Sequence, residues 1–168
     1  MFVASPFLMD LEFKRSVIYI VDASDTFVQA VTMNRPSNMT VADAVSHECV
    51  PWNMDLYIGG VEDWETVLYL HTSNIDGSQH ITGNIRVGGD LSELYDNVQI
   101  YGRQSLEELK FFAGHIRMCT DEFMWMWRNK FWIMSPVTDP FGLYYWDEAL
   151  SSCGPSYHSM AIVGYEPN

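Results

Sequence analysis

Residues 16–36 read SVIYIVDASDTFVQAVTMNRP: two runs rich in β-branched and aromatic residues, 16–22 and 27–34, parted by a short polar stretch. That spacing predicts an antiparallel hairpin with a loop of about four or five residues. Pro36 has no amide proton to give a ladder, and it holds Arg35 in extended geometry. The second strand therefore breaks at Asn34-Arg35-Pro36. This spends one of nine basic residues in a 168-residue chain of formal net charge −13. Chemistry, a ligand's anion or structural anchoring could each call for an arginine there.

Phe2 to Ser5, ahead of the hairpin, reads as a short edge strand stopped by Pro6. After it, Thr40-Val41-Ala42-Asp43 has the form of a capping box and predicts a helix to about His47. Leu56–Ile58, ended by Gly59-Gly60, and 66–72 read as strands; 73–79 has turn composition. Residues 81–87 alternate as one strand. Gly88-Gly89-Asp90 leads into a short helix capped by Asp90, and Val98–Tyr101 reads as a strand. Ser105 with Glu108 is a second capping-box match, so a helix is expected there. A further helix is expected from Thr120-Asp121-Glu122, with its acids at the N-terminal end and Arg128 and Lys130 at the other. Residues 131–135 read as a strand, 144–150 as a helix and 160–165 as a last strand. Strands and helices intermix, with a hairpin and few βαβ units, which predicts an α+β single domain over 1–168 with a mixed, mostly antiparallel sheet and flanking helices.

Composition limits the partners. No run is long and apolar enough to cross a bilayer, and the N-terminus lacks the basic region of a signal peptide. Cys49, Cys119 and Cys153 are odd in number and far apart, which fits a reducing cytoplasm. Residues 51–100 carry one basic and eight acidic groups. Without a basic stretch longer than Lys14-Arg15, direct nucleic-acid binding is not expected.

Motifs for chemistry are absent. Neither Gly-Gly pair belongs to a phosphate loop, and each is followed by acids that repel phosphate. His47-Glu48-Cys49 is the one close cluster of metal-ligand types, and helical geometry would splay it; His71, His80, His115 and His158 are scattered. Cys119 with His115, or Ser73 beside His71, could supply a nucleophile and base, but no elbow motif frames them. The acids Glu62, Asp63, Glu65, Glu107 and Glu108 read as solvated faces. No catalytic residue, metal or cofactor is therefore assigned. In 123–127, Phe123 and Trp127 fall on one helical face and Trp125 on another, so Met124, Trp125 and Trp127 are candidates for an interface with a second subunit or a partner.

Together these residues resemble the AlgH/YqgE family. Ala4-Ser5-Pro6, then Phe13-Lys14-Arg15-Ser16-Val17, then Ala30-Val31-Thr32-Met33-Asn34-Arg35-Pro36 are similar to its A-x-P, F-x-R-S-V and G-L-V-[IL]-N-R-P, with Ala30 in place of glycine. Leu56–Gly60 resembles its strand and Gly-Gly, with Val61 where a proline usually follows. Leu70-His71-Thr72 resembles L-H-S, Phe131–Pro136 its W-L-x-x-P, and Trp146, Ala149-Leu150 and Gly154 its closing motif. In the middle, Ala113-Gly114 stands for A-G-W with His115 replacing tryptophan, or Tyr101-Gly102 with Leu106–Leu109 fills those places. The distance to Trp132 favours the first, which makes 108–116 a strand against the capping-box reading.

The resemblance implies an α+β domain from the cytoplasm of bacteria or phage-infected cells; Val61 in place of the proline marks a divergent member, and the small, acidic chain suggests a phage-encoded one. Family members are labelled transcriptional regulators, a label with no catalytic residues to transfer. Arg15, Asn34, Arg35, Gly59, Gly60 and His71 carry over as a signature, and Arg15 and Arg35 flank one hairpin and could hold one anion, or pair with Asp10 or Asp22. The expected function is a non-enzymatic regulatory domain acting on a protein partner. An anion or small-molecule binder, or an enzyme, at Arg15/Arg35/His71 is the alternative, and transcriptional regulation a third.

Overall fold

The computed structural model describes residues 1–45, 53–101, 108–135 and 141. Its framework is a sheet ordered β10-β1-β2-β3-β9-β6-β8-β7, with β5 also on β9 and β4 on β5. The strands are β1 (Phe2–Ala4), β2 (Val17–Ala23), β3 (Phe27–Thr32), β4 (Pro36–Thr40), β5 (Asp55–Ile58), β6 (Glu62–His71), β7 (Gln79–Thr82), β8 (Ile85–Val87), β9 (Leu109–Cys119) and β10 (Trp132–Met134). Helices α1 (Val41–Ala44), α2 (Leu91–Tyr101) and α3 (Thr120–Arg128) complete it. Among the described residues all pairings are antiparallel except that of β5 with β9. The fold is the expected α+β.

The hairpin forms as read, but its loop is three residues, 24–26, because a bulge between Ile20 and Asp22 carries β2 on to Ala23. Ser24 builds the turn: its Oγ accepts the amides of Thr26 and Phe27 at 3.2 and 3.1 Å. Five other expectations are corrected. β1 is not an edge, since β10 pairs with its far side. α1 stops at Ala44 because Val45 is extended, although the Asp43 carboxylate accepts the Thr40 amide at 2.9 Å as the capping box requires. Residues 81–87 are not one strand: Gly83, at φ +57°, turns β7 back into β8. Val98–Tyr101 ends α2, since Leu94 and Val98, four apart, bury one helical face. Past Ser105 and Glu108, the strand over 108–116 that the resemblance favours is the one present, as β9, and the capping-box helix gives way to it. That strand lies between β6 on one side and β3 and β5 on the other, and this pairing overrides a local capping signal. The expected elements at 144–150 and 160–165 lie outside the described residues.

Three apolar clusters hold the layers. Val17, Tyr19, Val31, Met33, Leu70 and Phe112 are among the side chains buried on one side of the sheet, and they join both its halves. α2 sets Leu94 and Val98 on Leu56, Tyr69 and Phe111, and α3 sets Phe123 and Met126 on Ile18, Ala30 and Trp132. Phe2 lies edge-on to Phe123 and Trp127, with centroids 5.0 and 5.7 Å away, which fixes the helical register.

Candidate functional site

The signature residues fall at two places. The first is the base of the hairpin. Asn34 Oδ1 accepts the amide of Val17 at 2.8 Å, while its Nδ2 donates to the Arg15 carbonyl at 2.9 Å. The Val17 N–H can bond only to an oxygen, so the amide orientation is determined. One side chain thus ties the end of β3 to the start of β2 and holds Arg15 at φ +58°, a conformation an L-residue otherwise avoids. Arg35 is half-buried. Its guanidinium donates to the Lys14 carbonyl at 3.5 Å, a long bond, and its own carbonyl accepts the Ile58 amide at 2.8 Å. Its charge is felt at Glu12. Burial raises the Glu12 carboxyl above its ordinary range, Asp10 adds to this, Arg35 opposes it, and Glu62 adds again.

Gly59 and Gly60 continue the same junction. β9 is partnered by β3 along 116–119 and by β5 along 111–113, and the glycines cross where one partner replaces the other. Gly59 accepts the Thr32 amide at 2.7 Å and donates to the Ala113 carbonyl at 2.8 Å. A Cβ on Gly59 would lie 2.2 Å from the Gly114 oxygen, and one on Gly60 2.2 Å from the His115 carbonyl. The Gly-Gly pair is thus a backbone crossing, in keeping with the absence of any phosphate-loop motif.

The second place is His71, at 1% exposure. Its Nε2 lies 2.7 Å from the Gly88 carbonyl and therefore donates, while Nδ1 has no hydrogen bond of good geometry among the described residues. Burial holds the imidazole below the ordinary histidine range; the Gly88 carbonyl and the Ser73 backbone oppose that shift, and Arg86 reinforces it. Two residues earlier the Tyr69 hydroxyl donates to the Gly89 carbonyl, and burial, with Asp90 behind it, raises that phenol. Tyr69 and His71 thus clamp Gly88-Gly89, the entry to α2. The Asp90 carboxylate there accepts the amides of Ser92 and Glu93 at 2.8 and 3.0 Å. Arg35 and His71 are held by different segments.

On α3, Met124 and Trp127 pack inward against the cluster around Trp132. Trp125 is 58% exposed and stacks on Phe131, centroids 5.7 Å apart, with Ile133 and Met134 of β10 also exposed. Cys119 is exposed where β9 meets α3, about 13 Å along the strand from His115 and too far to be activated by it. Among the described residues no three His, Cys, Asp or Glu side chains group as a metal site, and no helix is long and apolar enough to cross a membrane. Sequence reasoning passed over Trp64 and the pairing of Asp63 with His115, whose Oδ2 and Nε2 are 3.9 Å apart. The signal was a tryptophan set among three acids at the start of a strand, where a solvated face should carry none.

Residues 1–158 match the family model described as DUF179, AlgH-like. The chain belongs to the AlgH-like family. A UPF0301 protein of Bacteroides thetaiotaomicron is 24% identical over 165 residues, 95% of this AlgH-like chain and 84% of the relative. One from Pelodictyon phaeoclathratiforme is 34% identical over 115 residues, 67% of this chain and 60% of the relative. The solution structure of the AlgH protein from Pseudomonas aeruginosa superposes with a TM-score of 0.66 at 16% identity, covering 99% of this chain and 93% of that one. The crystal structure of Corynebacterium diphtheriae DIP2367 gives 0.67 at 20%, covering 84% and 81%. At these identities the two structures speak for the AlgH-like fold alone.

Proposed function

We propose that this chain is a non-enzymatic regulatory domain that works by binding another protein, in the cytoplasm of a bacterium or a phage-infected cell. The observation that carries the reading is the exposed indole of Trp125, stacked on Phe131. Tryptophan is favoured at the centre of protein interfaces. The net charge of −13 sets such a partner apart from nucleic acid, and direct transcriptional regulation ranks last for that reason. An anion-binding or enzymatic reading at Arg15, Arg35 and His71 ranks second. It suffers because His71 is engaged with Gly88 and Arg35 sits within reach of the Glu12 charge.

The test is affinity purification from the native host with tagged wild type and Trp125→Glu, alongside light scattering of both. A stoichiometric protein retained by wild type and lost by Trp125→Glu, with circular dichroism unchanged, is the expected result. Identical captured proteins and identical masses for the two baits would overturn the assignment of this face. A thermal shift by a phosphate or carboxylate metabolite that Arg35→Ala abolishes would promote the second reading.

A further inference from the structure

Strand β6 opens with a protrusion. Glu62 lies opposite His115 and Val67 opposite Ala113, so 63–66 face Gly114 alone and stand off the sheet. The close approach needs the glycine: at φ +68°, a Cβ on Gly114 would meet the Glu62 oxygen and the Trp64 Cα at 2.9 Å. Trp64 is 69% exposed and Val61 62%, with Glu62, Asp63 and Glu65 exposed around them. Beneath lies the His115 imidazole, 6% exposed and directed at Asp63 across 3.9 Å, beyond hydrogen-bond reach, with Nδ1 unpartnered among the described residues. The unpartnered atom is Nδ1, whereas Nε2 is the one that faces the carboxylate.

The protrusion has an acidic neighbour. Arg35 joins the end of β5 to Lys14 of the loop before β2, and Glu12 of that loop feels the charges of Asp10 and Glu62. Leu11 beside it is 90% exposed. Glu12 and Glu62 thus bring the two acidic stretches within electrostatic reach of each other.

We propose that this face, with Trp64 at its centre, docks an arginine-bearing and partly apolar segment of a partner protein. The proposal rests on the reading of the chain as a protein-binding domain and names the chemistry of the partner. A guanidinium stacks on an indole and forks onto carboxylates, whereas an ammonium does only the latter as a point charge. Apolar residues flanking the arginine cover Val61. Residues 142–168 contain no Lys or Arg and so do not supply the complementary charge. Nucleic acid and anionic lipid carry the wrong sign.

Two synthetic decapeptides serve as probes, alternating Arg-Leu and alternating Glu-Leu, titrated into labelled full-length protein while the tryptophan indole N–H resonances are followed. The Arg-Leu peptide is expected to shift the Trp64 resonance saturably, more weakly at high salt, and the Glu-Leu peptide not to bind. Trp64→Ala weakens binding about fivefold, and Trp64→Phe keeps part of it. The triple variant Glu62→Gln/Asp63→Asn/Glu65→Gln weakens it more than tenfold. A charge-matched control on other exposed acids, Asp96→Asn/Asp121→Asn/Glu122→Gln, keeps the affinity. An equal loss in the control, a shift that maps elsewhere, or no saturable binding overturns the proposal. Should a host partner still depend on Trp125, protein binding stands and this face alone is withdrawn.

Discussion

Asn34 shows how a signature residue can be structural and still tightly specified. Its side chain accepts the Val17 amide and donates to the Arg15 carbonyl. Asn34→Ala leaves the Val17 N–H, in a buried residue, without its acceptor, and about 1–3 kcal/mol of stability should be lost in urea unfolding. Asn34→Asp keeps the acceptor and should lose less. His71 gives a prediction in pH. Its folded-state pKa is depressed, so the unfolded chain takes up a proton that the native ring refuses. The sign follows: no effect well above pH 6.5, and stability lost as pH falls from about 6.5 toward the depressed value. His71→Gln, which donates but does not ionise, should flatten that acid limb relative to wild type when urea midpoints are compared between pH 8 and 5. An equal slope in both would show that His71 is not the group responsible. That Arg15 and Arg35 sit at one hairpin base was legible from the sequence. That His71 belongs to the approach to α2 was not, because the carbonyl holding it, that of Gly88, is reached only through the pairing of β6 with β8.

At the scale of elements, readings succeeded where local chemistry and tertiary environment agree. The hairpin forms over 17–23 and 27–32, though Pro36 opens β4 rather than ending a strand, and α2 and α3 begin where acids cap or flank their first turns. They failed where context decides. Capping chemistry at Ser105 and Glu108 pointed to a helix where only the resemblance gave the strand β9, and 81–87 read as one strand through the turn at Gly83. The junction of β3, β5 and β9 carries the sharpest prediction. Gly60→Ala puts a methyl 2.2 Å from the His115 carbonyl, backbone that has no room to yield, and the variant should not fold to a cooperative native state. Gly83→Ala meets nothing within 4 Å and is strained only by its φ of +57°, so it should cost about 1–2 kcal/mol. Near-equal thermal midpoints for the two would refute the crossing as the tighter constraint.

The whole molecule carries 22 acidic and nine basic residues, and the compact state concentrates that repulsion. Sodium chloride between about 10 and 150 mM, which shortens the Debye length from about 30 to 8 Å, should therefore raise the thermal midpoint. The triple variant of the protrusion on β6 should show a smaller rise, because acids crowded on one face contribute most to it. A midpoint falling with salt would mean that attractive pairs dominate. The partner joining β3 to the rest of the sheet is β9, and Phe27 finds its place only when Cys119 has been made. On the ribosome the first hairpin emerges with an open, apolar edge and waits for most of the chain before anything can cover it. Its birth is thus slower and more exposed to misassociation than its small size suggests, and it would gain from a chaperone that shields nascent strands.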